Sequence, residues 1–347
     1  MTHSHLPVDS SHRRSIGPIA TPDRLLLGPG PSNAHPTVLE ALSRTPIGHL
    51  DPLYVELMGE VQELLRYAWQ TDNRLTLPMS GTGSAAMEAT LANTVEPGDT
   101  VLVAVKGYFG NRLKDMAGRY RANVQVIEKP WGEAFSLDEL DVALQQHKPA
   151  ILAMVHAETS TGVCQPMDGI GDLCRQHDCL LLLDTVTSLG GVPLHLDAWK
   201  VDMAYSCSQK GLSCPPGLGP FTMGPRAEAK LAARKDKVPN WYLDVSLLNQ
   251  YWGSDRVYHH TAPVNMNFGM REALRLLRHL LCNVARVEQQ LAATAAGDWN
   301  HRSLPRLDHL IVELLNLCGT EEMKSGQKIT LPFINVGALW LRHSVRR

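Results

Sequence analysis

Two hydrophobic periods alternate along this chain from about residue 36. Val55, Leu57, Met58, Val61, Leu64, Leu65 and Ala68 recur at helical spacing and predict a helix over 53–70. Further helices are predicted over 85–93, 109–122, 136–147 and 169–177, the third opened by a Ser136/Glu139 capping box. Between them lie short apolar runs at 100–105, 124–127, 150–155, 180–183 and 201–205 that read as strands. These runs are nearly continuous rather than alternating, as a parallel sheet covered on both faces requires. Strand–helix–strand units repeated in this way imply right-handed crossovers and an α/β fold with a mostly parallel, doubly wound sheet. The Gly- and Pro-rich stretch 211–225 is expected to be loop with one short strand. Residues 263–278 predict a long helix leaving the domain, 280–317 has room for two helices, and 329–341 reads as a strand pair. The expected organisation is a disordered leader over 1–20, a large α/β domain over 21–265 and a smaller C-terminal α+β domain over 266–347.

Composition narrows the partners. A net charge of −2 over 347 residues, without a long block of like charge, argues against a nucleic-acid groove. Seven cysteines in no Cys-x-x-Cys pattern argue against a disulfide framework and against zinc, and for a reducing, cytoplasmic setting. No metal site is expected. No apolar run reaches membrane-spanning length, and the polar first 20 residues lack the apolar stretch of a secretory signal.

Ligands of a parallel α/β sheet bind at the carboxyl ends of its strands, and four polar clusters fall there. Ser80-Gly81-Thr82-Gly83-Ser84 precedes a helix, where backbone amides and the helix N-terminus suit a phosphate, although a simple helix cap explains the same residues. Asp184 follows Leu180-Leu181-Leu182-Leu183; an acid at the end of a buried strand is costly unless it meets a cation, such as a protonated pyridine nitrogen. Ser206-Cys207-Ser208-Gln209-Lys210-Gly211 follows the next strand, and a lysine in that setting suits an imine with an aldehyde. His156-Ala157-Glu158-Thr159-Ser160-Thr161-Gly162 adds hydroxyls and a carboxylate beside the same rim. Phosphate loop, polar rim, acid and lysine thus occur in one chain order.

In these stretches, and in Leu25 to Ser32, Lys106-Gly107-Tyr108-Phe109-Gly110, Leu183 to Gly191 and Tyr258-His259-His260-Thr261, the chain resembles the alanine–glyoxylate and serine–glyoxylate (serine–pyruvate) aminotransferases, fold-type I enzymes that use pyridoxal phosphate. The resemblance covers about 20–278. It implies a Schiff base and proton shuttle at Lys210, Asp184 on the pyridine nitrogen and Phe109 stacked on the ring. Gly83, Ser84 and Gln209 would hold the phosphate and Thr159 the ring oxygen. Tyr258 and Thr261 would reach a neighbouring subunit's phosphate, so the active unit would be a homodimer. Gly30 and Pro31 would line the entrance for amino-acid and 2-oxo-acid substrates. The implied activity moves an amino group from L-alanine or L-serine to glyoxylate. A cysteine-desulfurase-like lyase using Cys207 or Cys214 is the rival chemistry.

The resemblance stops near Arg278. The family's Lys-x-x-Arg-x-Gly-like segment, whose arginine grips the substrate carboxylate, has no counterpart after 278. The expectation is a C-terminal domain truncated or altered as by a reading-frame shift, and a catalytically impaired protein is the reading that follows if that arginine is indispensable.

Overall fold

A computed structural model describes residues 17–295, with side chains described as far as residue 282. Its strands are β1 (Leu75–Ser80), β2 (Thr100–Val105), β3 (Asn123–Glu128), β4 (Ile151–Val155), β5 (Ala157–Glu158), β6 (Val163–Cys164), β7 (Leu180–Asp184), β8 (Met203–Tyr205) and β9 (Leu218–Met223). Its helices are α1 (Pro36–Leu42), α2 (Pro52–Trp69), α3 (Gly83–Thr94), α4 (Tyr108–Arg119), α5 (Leu137–His147), α6 (Ile170–Gln176), α7 (Pro225–Ala232), α8 (Val245–Trp252) and α9 (Val264–Ala295).

Seven strands form one sheet in the order β1-β9-β8-β7-β4-β2-β3, and β5 pairs with β6 as a separate hairpin. β8, β7, β4, β2 and β3 are mutually parallel, and β9 runs antiparallel to both of its neighbours. The mostly parallel α/β sheet read from the apolar runs is therefore present. Those runs are continuous because both faces are covered. Leu102, Ala104, Leu181 and Leu183 pack into one core with α2, α5, α6 and α9. Val101, Val103, Leu180 and Leu182 pack into the other with α3, α4 and α8.

Three local features depart from the expected outline. β1 begins in the short apolar piece Leu75-Thr76-Leu77, outside the runs above, and continues through Pro78 to Ser80, which an outermost strand tolerates because Pro need not donate there. The strand inside 211–225 is six residues long and sits in the sheet interior, holding β1 in place. The long helix does not stop near Arg278: α9 is unbroken to Ala295, with no helix break at 280. Asn267 of α9 donates to the Tyr54 hydroxyl at 2.8 Å, and Arg271 pairs with Glu60 at 2.7 Å, so α9 is fastened to α2 from its first turns. The Ser136/Glu139 capping box forms as read. No helix among the described residues is long and apolar enough to cross a membrane. Most of the expected leader, the strand pair at 329–341 and the segment in which the substrate arginine was sought lie outside the described residues.

Candidate active site

Asp184 is the last residue of β7, and its register partner on β8 is Tyr205, also the last of its strand. Side chains at matched positions of neighbouring parallel strands lie on the same face, which brings the two groups together. The Tyr205 hydroxyl donates to Asp184 Oδ2 at 2.6 Å, and the Val186 amide donates to Oδ1 at 2.8 Å. Asp184 is 3% exposed, and burial pushes its carboxyl up to about 6 despite those two donors. Asp202 provides the contrast. It is equally buried, but Arg226 and Arg175 pair it at 3.0 and 3.3 Å. Asp184 has no ion pair among the described residues. Tyr205 itself was missed by sequence reasoning, although its place at the end of the strand beside Asp184 was the signal.

Lys210 lies on the loop after β8 with its ammonium donating to the Pro29 carbonyl. The same loop is bridged to the N-terminal segment at Ser32, whose amide donates to Gln209 O at 3.0 Å and whose hydroxyl donates to Lys210 O at 2.9 Å. Gly30 has φ +131°, and a Cβ there would come within 2.6–2.8 Å of the Lys210 side chain. Glycine is thus the residue that lets Gly30-Pro31 lie directly over the lysine. Cys207, three residues before the lysine, lies within electrostatic reach of both Lys210 and Asp184.

The Ser80–Ser84 turn joins β1 to α3. A Cβ on Gly83 would meet Cys207 Cβ at 2.6 Å, so the glycine allows the α3 N-terminus to sit against the lysine loop. Thr82 caps α3 without a side-chain bond, so the Gly83 and Ser84 amides carry no side-chain cap, while the Ala85 amide donates to Thr82 O at 2.8 Å. Ser84 is exposed on that turn. The Gln209 side-chain oxygen is buried without a partner.

Phe109 stands in the first turn of α4, with the Arg112 guanidinium 4.9 Å from its ring centroid. The Glu158 carboxylate, read from the sequence as rim chemistry, instead caps α4: it accepts from the Phe109 amide at 3.2 Å and from the Ser160 hydroxyl at 2.7 Å. Thr159 shares a 2.5 Å hydrogen bond with Thr187. Lys106, buried behind them, donates to the carbonyls of His156 and Val163 at 3.0 and 3.3 Å, and burial pulls its amine down to about 8. Tyr258 is 56% exposed and its hydroxyl lies 3.4 Å from that of Thr261.

Residues 26–309 match the family described as Aminotransferase class-V. Alanine–glyoxylate aminotransferase from Oryctolagus cuniculus is 46% identical over 263 residues, 75% of this chain and 67% of that protein. The same-named protein of Mus musculus is 46% identical over 264 residues, and this chain spans 64% of its length. A solved structure of alanine–glyoxylate aminotransferase from Nostoc sp. superposes with a TM-score of 0.77 at 60% identity, covering 83% of this chain and 78% of that one. Ureidoglycine–glyoxylate aminotransferase from Bacillus subtilis superposes with a TM-score of 0.75 at 38% identity, covering 79% and 72%. With its sheet, its family match and its relatives in agreement, the chain belongs to the class-V aminotransferase family.

Proposed function

We propose that this chain is a pyridoxal-phosphate-dependent aminotransferase that moves the amino group of L-alanine or L-serine to glyoxylate, giving glycine and a 2-oxo acid. One observation carries the reading: Asp184 is a buried carboxylate without an ion pair among the described residues, at the carboxyl end of β7, and Cys207, in electrostatic reach of both Asp184 and the Lys210 amine, packs against Gly83 at the N-terminus of α3. The cofactor fits these groups. Pyridoxal phosphate, when bound, supplies an electron sink for the bond broken at the substrate Cα. Asp184 would hold a positive charge at the pyridine nitrogen. Gly83, Ser84 and Gln209 would hold the phosphate, Thr159 the ring oxygen, and Phe109 would cover one ring face, with Arg112 stacked behind it. Lys210 Nζ would take the proton from the substrate Cα and return it, with the Pro29 carbonyl orienting the amine between transfers. Gly30 and Pro31, lying over that amine, would shape the entrance for substrate.

Glyoxylate as acceptor is supported by its presence in the names of all four relatives above. Alanine as donor is supported by the 60% identical Nostoc protein. The lyase rival is disfavoured by its own cysteines: burial pushes Cys207 up to about 11 and Cys214 up to about 12, whereas sulfur transfer needs a thiolate in reach of solvent. The test is an absorbance titration of the full chain. Pyridoxal phosphate should give a visible band that L-alanine or L-serine bleaches and glyoxylate restores. A band that no amino acid bleaches would reduce the chain to a cofactor binder.

A second copy of the chain is the proposed partner. Trp241, Val257 and Tyr258 are 61%, 51% and 56% exposed and lie in the segment that also contacts Ser80. Burial of such apolar surface drives association. Sedimentation velocity should give about twice the 38.3 kDa chain mass, and Trp241→Glu should shift the protein toward monomer. A monomer under all conditions would remove Tyr258 and Thr261 from the site.

A further inference from the structure

The Tyr258-His259-His260-Thr261 motif contains two histidines that the chemistry above does not use. His260 Nε2 lies 2.6 Å from the Ser80 hydroxyl, at the first residue of the phosphate turn. His260 Nδ1 lies 2.8 Å from His259 Nδ1, and His259 Nε2 lies 3.4 Å from the Trp241 carbonyl. The proton order along this chain is fixed from its far end. A carbonyl only accepts, so His259 Nε2 carries hydrogen and its Nδ1 accepts. His260 Nδ1 therefore carries hydrogen and its Nε2 accepts, so the Ser80 hydroxyl donates to it. Both rings are then neutral.

The surroundings of His260 favour its neutral form. His259 is buried and its ring stacks on Trp241 with centroids 4.3 Å apart. Burial, with His259 and His49 nearby, brings His260 down to about 4. The rings of Tyr242 and Tyr251 close the remaining sides at 5.2 and 5.9 Å. Ser80 is held a second time, because the Tyr242 hydroxyl donates to its carbonyl at 3.0 Å. The next residue, Gly81, has φ +150° and its amide donates to Gly217 O at 3.0 Å, so small rotations at Ser80 pass directly into the turn.

We propose that His260 and His259 are positioning residues for the cofactor phosphate, acting through Ser80 to hold the Ser80–Ser84 turn in its anion-binding shape. This rests on the pyridoxal-phosphate reading. A side chain that acts only on the phosphate turn affects the phosphate ester and not the aldehyde.

The test compares pyridoxal phosphate with pyridoxal, which lacks the phosphate, in absorbance titrations of the full chain and of His260→Phe, Ser80→Ala and the double variant. His260→Phe keeps a flat ring but cannot accept from Ser80. Removing one hydrogen bond from the turn should weaken pyridoxal phosphate about five- to tenfold and leave pyridoxal affinity unchanged. Ser80→Ala should weaken it by a similar factor, and the double variant by no more than either single one, because all three break the same link. Equal weakening of both aldehydes would mean general damage and overturn the proposal. So would unchanged affinity for pyridoxal phosphate in both single variants. Failure of the unaltered chain to bind pyridoxal phosphate at all would overturn the cofactor reading itself, and the relay with it.

Discussion

Lys210→Ala is expected to lower amino-transfer turnover by about 10⁴-fold or more, since it removes both the imine-forming amine and the proton carrier. Among the described residues its side chain bonds the Pro29 carbonyl alone, so folding stability should change by less than about 1 kcal/mol. Lys106 is the lysine most easily mistaken for it. Burial brings its amine down to about 8, the range expected of a reactive amine, and it sits at the end of β2 on the same edge of the sheet. Geometry decides against it: Lys106 Nζ is held between two backbone carbonyls and is 1% exposed. Borohydride reduction of the cofactor-loaded chain, followed by peptide mapping, should therefore place the pyridoxyl adduct on Lys210. An adduct on Lys106, or Lys210→Ala retaining a hundredth of the activity, would reverse the assignment.

Much of this site was legible because its residues stand where periodicity ends. A run such as Leu180 to Leu183 shows a strand buried on both faces, and the first charged residue after it marks the carboxyl edge of the sheet. The same logic located Lys210 after β8 and the glycine turn after β1. What the sequence did not disclose depends on packing between distant segments. Tyr205 looked like one more apolar strand residue until register placed its hydroxyl on Asp184. Glu158 looked like rim chemistry because its role as a cap for α4 requires knowing that β5 lies against that helix. Gly30 became intelligible only with Lys210 beside it, 180 residues further along. The antiparallel placement of β9 was hidden for a related reason: a six-residue strand rich in Gly and Pro carries almost no period of its own. The break expected near residue 280 is absent because helix-forming residues continue without a stop signal from Arg278 to Ala295, and the family match itself extends to residue 309.

Asp184→Asn is expected to change activity and stability in opposite directions. Without its carboxylate the site loses the charge that holds a cation on the cofactor ring, and turnover should fall by about 10²–10³-fold, the cost of removing one preorganised electrostatic group. The cofactor-free chain should nevertheless become more stable near neutral pH. Burial raises the Asp184 carboxyl from about 3.9 to about 6 in the folded chain, so between about pH 4 and pH 6 the folded state binds more protons than the unfolded one. Stability then falls as pH rises through that window and is level above it, by about 2–3 kcal/mol in all. Asparagine cannot ionise and is spared that loss. Its Oδ1 keeps the Val186 amide, and the Tyr205 hydroxyl can turn to accept from its Nδ2. Urea unfolding across pH 4–8 should show the downward step in the unaltered chain and a flatter curve in the variant. Bound cofactor should reverse the order above pH 6, because only a carboxylate gains from a cation beside it. Parallel stability curves for the two proteins would mean that Asp184 ionises freely in the cofactor-free chain, and the argument from its burial would fail.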